Sequence, residues 1–106
     1  MTQKEIAVLR QFKLLLSRNL KSFEIKAYGS RARGDAKDEY SDLDVFVVVN
    51  MLTPEIENYI YHCAWEAGFN NDILVSVFIV DKKGLIEMKK DGSNFLKNIE
   101  KEGLFI

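Results

Sequence analysis

The chain alternates between two hydrophobic rhythms, and the switches between them mark its elements. From residue 3 to about 20, Ile6, Leu9, Phe12, Leu16 and Leu20 recur at spacings of three and four, with Lys4, Glu5, Arg10, Lys13 and Arg18 between them. That period predicts an amphipathic helix with one face on a core, a face that Leu14 and Leu15 broaden. Residues 23–28, FEIKAY, change to alternation of apolar and polar positions, the period of a strand, which Gly29-Ser30 ends. Residues 31–41 are charged and aperiodic around Gly34 and Asp35, and predict a loop with at most one helical turn. Leu43 to Val49 is β-branched and aromatic on both faces, the pattern of a central strand covered from both sides.

The second half begins at a strong helix start, Thr53-Pro54-Glu55: a hydroxyl N-cap, proline at the first helical position and an acid at the positive end of the dipole. Ile56, Tyr59, Ile60, Cys63, Ala64 and Ala67 then line one face, and Gly68 is the expected stop. Residues 73–80, ILVSVFIV, read as a second buried strand. Asp81 can cap a short helix through Leu85 and Met88, and Ser93 a last one carrying Phe95, Leu96 and Ile99 up to Gly103. The apolar tail 104–106 is expected to dock on the body or on a partner, which leaves a homo-oligomer open. The expectation is a single α/β domain over residues 1–106, a small mixed β-sheet of three or more strands flanked by helices.

Composition narrows the function classes. The 106 residues carry 15 Lys and Arg against 16 Asp and Glu. A net charge of −1 does not suit stable, broad nucleic-acid binding, which needs a surplus of cations on one face. The single cysteine, Cys63, cannot form an internal disulfide. No signal peptide or membrane span is apparent, so a cytoplasmic domain without membrane attachment is expected. His62 and Cys63 are neighbours on a helix and point about 100° apart, a poor metal pair. Trp65 and Phe69 are assigned to the core or a partner surface.

The chemistry concentrates in one stretch. Asp42 and Asp44 stand two apart at the start of a strand, so both side chains share a face, roughly 6–7 Å apart along it. Two such carboxylates repel unless a cation lies between them, and Mg²⁺ favours a few carboxylates plus substrate phosphate oxygens. Ser30 follows a glycine at the end of the preceding strand, where backbone N–H groups and a hydroxyl can approach phosphate. Lys26, Arg31, Arg33 and Lys37 add positive charge nearby, and arginine suits bidentate phosphate contact. Either motif alone is an ordinary turn or strand end. Together, with eleven residues between Ser30 and Asp42, they define a candidate site for a metal-bound phosphate.

The run GSRARGDAKDEYSDLDVFVVV resembles the signature of the DNA polymerase beta-like nucleotidyltransferase superfamily, and looks most like its minimal nucleotidyltransferase group. The ending SNFLKNIEKEGLFI is similar to the tails of those small proteins. The resemblance implies a nucleotidyltransferase-like fold that binds a nucleoside triphosphate, ATP by preference, with Mg²⁺. The implied reaction transfers a nucleoside monophosphate to an acceptor hydroxyl. Gly29 and Ser30, with Arg31, Arg33 and Ser41 beside them, would contact the nucleotide, and Asp42 and Asp44 would bind metal. Many members of the group are antitoxins beside HEPN-domain RNases, some adenylylating the toxin on tyrosine, so a HEPN-type partner protein is implied.

Two features depart from that pattern. The spacing from Ser30 to Asp42 is one residue longer than is common in the group, an insertion assigned to the loop tip at 37–40. Active members also carry a third carboxylate on the later strand, and ILVSVFIV has none. Asp72 is the candidate, sharing parity with Leu74, Ser76 and Phe78. If Ser76 faces the aspartate pair, Asp72 lies about 13 Å away along the strand; if Asp72 itself is opposite the pair, the catalytic triad Asp42, Asp44 and Asp72 is complete. Both registers are open at this level. The alternatives are therefore an active nucleotidyltransferase and a catalytically weak or inactive antitoxin that acts by protein binding alone. An aminoglycoside-type enzyme ranks below both, since 106 residues leave no second domain for a small-molecule acceptor.

Overall fold

The computed structural model describes residues 1–36 and 41–106. Its elements run α1 (Gln3–Ser17), β1 (Phe23–Tyr28), α2 (Gly29–Arg33), β2 (Leu43–Val49), α3 (Pro54–Phe69), β3 (Val75–Asp81), α4 (Lys82–Lys90), α5 (Asn94–Glu102) and β4 (Leu104–Phe105). The four strands form one mixed sheet in the order β3-β2-β1-β4, with β2 antiparallel to β1 and parallel to β3. The expected α/β sheet flanked by helices is therefore present, with the apolar tail as its fourth strand, antiparallel to β1.

The two faces of the sheet are covered unequally, and this places the site. On one face Ile25, Ala27, Leu43, Val45, Val47, Val49 and Val75 pack against Val8, Leu9, Phe12, Leu15 and Leu16 of α1 and Ile60, Cys63, Ala64 and Ala67 of α3. Phe12 and Leu16 are wholly buried there, each contributing about 1.5–3 kcal/mol relative to exposure. On the other face Phe46, Val48 and Val80 meet Leu96 and Ile99 of α5, with Tyr28, Leu85 and Met88 partly covered. The helices on this second face leave one end of it open, the end where β2 begins.

Local signals account for most boundaries. Thr53 caps α3 by accepting from the Ile56 N–H, Asp81 caps α4 from the Gly84 N–H, and Ser93 caps α5 from the Leu96 N–H. Three expectations shift. Leu14 lies on the exposed side of α1, whereas Leu15 is buried. α3 does not stop at Gly68 but continues to Phe69. Gly68 is instead a contact point: a Cβ there would collide with the Ile73 carbonyl oxygen, so the missing side chain lets the chain fold back tightly into β3. Finally, β3 begins at Val75, not at residue 73, because the turn after α3 takes up Asp72 and Ile73.

Candidate functional site

Asp44 is the one charged side chain in β2, and the register fixes its neighbours. It pairs with Tyr28 of β1 on one side and Ser76 of β3 on the other, so all three point to the open end of the second face. Asp42 precedes the strand and is exposed. Partial burial pushes the Asp44 carboxyl above its usual range, the negative charge of Asp42 pushes it the same way, and Arg33 partly offsets both. Burial and then the Asp44 charge likewise raise the Tyr28 phenol. Two carboxylates in mutual repulsion, one of them partly desolvated, are a donor pair that a divalent cation would relieve.

The turn from β1 lies directly against this pair. Gly29 has φ +80°, and a Cβ there would collide with Asp44 Oδ2. Only glycine lets the backbone pass so close to the carboxylate in that conformation. Gly29 also opens α2, whose N-cap Tyr28 supplies no side-chain hydrogen bond to the first-turn N–H groups. Ser30 is the next residue, so the turn brings uncapped N–H donors and a hydroxyl to the carboxylates. Gly29→Ala is expected to cost about 1–2 kcal/mol through the positive φ and to displace Asp44. A drop in melting temperature together with weakened Mg²⁺-dependent nucleotide binding would show both effects; unchanged binding would mean the close approach has no role.

The two arginines take different parts. Arg31 donates from Nε to the Ser41 carbonyl and from Nη1 to Glu5 Oε2 at 2.8 Å, with both side chains of the ion pair largely buried. It ties α1 to the residue before Asp42. Arg33 is partly exposed, pairs with Asp35 and Glu102, and is close enough to influence Asp44. Ser41 takes part through its carbonyl. Lys37 and the loop tip at 37–40, where the extra residue was assigned, lie outside the described residues.

Asp72 is the main correction. The parallel register sets Ser76 beside Asp44, and Asp72 lies outside β3, exposed in the preceding turn with φ +52°. It does not complete a triad on the ladder. Among the described residues, no group of three His, Cys, Asp or Glu side chains is placed to hold a metal ion. The site is thus two carboxylates, a glycine turn and Ser76 where a third acid would stand.

Some contributors were not singled out from the sequence. Tyr28 was passed over as the last residue of a strand, although its place before Gly29 put it next to the motif. Glu5 was treated as helix surface. Its signal was the capping box Thr2-Gln3-Lys4-Glu5, which the structure forms with both reciprocal hydrogen bonds. A cleft of about 340 Å³ adjoins the site on the same face, lined among others by Lys26, Phe46, Lys89, Leu96 and Ile99. Its floor begins at Phe46, two residues along β2 from Asp44, so it neighbours the carboxylates without containing them.

Within a mixed sheet, the structure thus sets an aspartate pair at the start of β2 and packs a glycine-serine turn against it. The chain belongs to the nucleotidyltransferase domain family, which it matches over residues 9–106. That span takes in every element from the middle of α1 to β4. No curated protein matches the chain. No described helix is long and apolar enough to cross a membrane.

Proposed function

We propose that the protein binds ATP with Mg²⁺ and transfers its nucleoside monophosphate to an acceptor hydroxyl, as an antitoxin acting on a HEPN-type partner protein. The observation that carries the reading is the contact of the Gly29 turn with Asp44, which brings uncapped backbone donors and a carboxylate pair to one point. Asp42 and Asp44 would hold the cation. When bound, it supplies positive charge to the phosphate oxygens and the leaving pyrophosphate. Gly29, Ser30 and the α2 N-terminus would orient the β- and γ-phosphates by N–H and hydroxyl donation. The acceptor oxygen then forms a bond to the α-phosphorus as the bond from that phosphorus to pyrophosphate breaks, and the hydroxyl proton leaves to solvent or a basic group of the acceptor. Arg33 keeps positive charge beside the pair, and Arg31 fixes the backbone that leads into Asp42.

A second reading has its own observation. Ser76 occupies the ladder position beside Asp44, and a serine cannot supply the third negative charge. That favours a protein that retains the fold and neutralises its partner by contact with little or no turnover. Incubation with Mg²⁺, α-labelled ATP and the product of the neighbouring gene separates the two. Transfer of label to that protein is the expected result. Stable complex formation without label, for any nucleoside triphosphate, would overturn transfer and favour binding alone.

A further inference from the structure

Exposed apolar side chains flank the free edge of β3 on both faces of the sheet, those of α3 over one face and Phe78 on the other. Trp65 is 60% exposed, Phe69 and Leu74 63%, Tyr61 48% and Phe78 40%. The rings are ordered: Trp65 stacks on Phe69 with centroids 4.9 Å apart, and His62 extends the stack at 6.4 Å. β3 pairs with β2 on one side, and no strand of the described residues pairs with its other side. That edge reads VSVFIV before Asp81, without the proline or lysine that normally blunts an exposed edge.

We propose that this edge of the sheet binds a second copy of the chain, the two β3 strands pairing antiparallel across a two-fold axis so that both sheets become continuous. Backbone N–H and C=O groups along the edge then gain partners, a mode that needs no prior groove. The charges fit the arrangement. Antiparallel pairing sets the start of one β3, preceded by exposed Asp72, beside the end of the other, where exposed Lys82 and Lys83 open α4. By symmetry this opposite-charge contact forms at both ends. The acids of the first turn of α3, Glu55 and Glu57, lie at opposite ends of the antiparallel helix pair and do not confront each other.

The helices fit as well. α3 packs on β3 through Gly68 against Val75, so strands about 4.8 Å apart bring the two copies of α3 to about the 8–10 Å of ordinary helix packing. Tyr61 and Trp65 then fill the seam. At roughly 200 Å² per fully buried ring, the exposed parts of Tyr61, Trp65, Phe69 and Phe78 account for about half of the ~800 Å² per partner of a standard interface. Leu74, the edge backbone and the lysine–aspartate ends extend it. The pairing stands on residues away from the carboxylate pair and does not depend on the proposed transfer reaction.

Sedimentation velocity across micromolar concentrations tests it. The expected result is a dimer whose dissociation constant rises about a hundredfold in Trp65→Glu, a substitution at an exposed position that leaves the circular dichroism unchanged. Reversing Lys82 and Lys83 to Glu weakens the dimer, and adding Asp72→Lys recovers it. A monomer at every concentration overturns the proposal and leaves the edge to a different protein. A dimer indifferent to Trp65→Glu overturns it too, and a failed charge rescue overturns the antiparallel arrangement.

Discussion

Asp44→Asn will reduce nucleotide transfer about a thousandfold or more while leaving the protein at least as stable as before. On the proposed reaction, the size follows from losing one of the two carboxylates that would hold the cation. A Lewis-acidic metal contributes several kcal/mol to a phosphoryl-transfer barrier, and about 4 kcal/mol corresponds to a thousandfold. The direction of the stability effect follows from the shifted carboxyl. Burial and then Asp42 raise the folded-state value of Asp44. The protonated form is thus the better tolerated one, and stability is lost as pH rises through the folded value. A neutral amide removes that loss. Initial rates with labelled ATP, beside thermal melts with and without Mg²⁺, check both halves. Wild type should gain melting temperature from Mg²⁺ and the variant little. A variant that transfers normally would remove Asp44 from the reaction.

Glu5→Ala will destabilise the fold by about 3 kcal/mol, the scale for breaking a buried ion pair from one side. Its carboxylate accepts from the Thr2 N–H at 2.7 Å and from Arg31 at 2.8 Å, with 6% of its side chain and 11% of that of Arg31 exposed. The substitution removes the buried ion pair between Glu5 and Arg31 and half of the α1 capping box. For a chain of this size the melting temperature should fall by roughly 10–20 °C. Burial acts to raise the Glu5 carboxyl, but the hydrogen bonds from Thr2 and Arg31 outweigh it and hold the value below the ordinary 4.5. Glu5 therefore stabilises the wild type fully above pH 4.5, and that contribution disappears as pH falls through the lower folded value. Melts from neutral pH into the acid range should show the two proteins converging. Parallel curves separated by a constant gap would mean that the charge is not what counts.

Much of the architecture was legible because it rests on local rules. β1 and β2 run over the alternating and the largely apolar segments as read, and Thr53, Asp81 and Ser93 cap the helices they were expected to cap. The departures arose where tertiary packing decides. The periodicity of α1 could not separate Leu14 from Leu15, since both border the apolar stripe and only the position of the sheet buries one. Gly68 read as a stop because glycine often ends helices; a carbonyl five residues later, touching it in space, gives it another use. For the site, Asp42, Asp44 and the Gly29-Ser30 turn were visible as spacing. The parallel register that sets Ser76, not Asp72, next to Asp44 was not visible, because parity admits any even shift. The tie from Arg31 to Glu5 was equally hidden, since the two are 26 residues apart in the chain.

β2 is buried along its whole length but for one position. Leu43 and Val45 to Val49 are buried, and between them stands Asp44, a partly buried carboxylate beside Tyr28, Gly29 and Ser76. The apolar positions hold the strand in the sheet, while the charge of Asp44 opposes close packing at that one point. The unliganded protein should therefore breathe there, on a sheet that is rigid a few residues further on. On the proposed reading, a bound cation would tighten this end of the sheet as well as serve the chemistry.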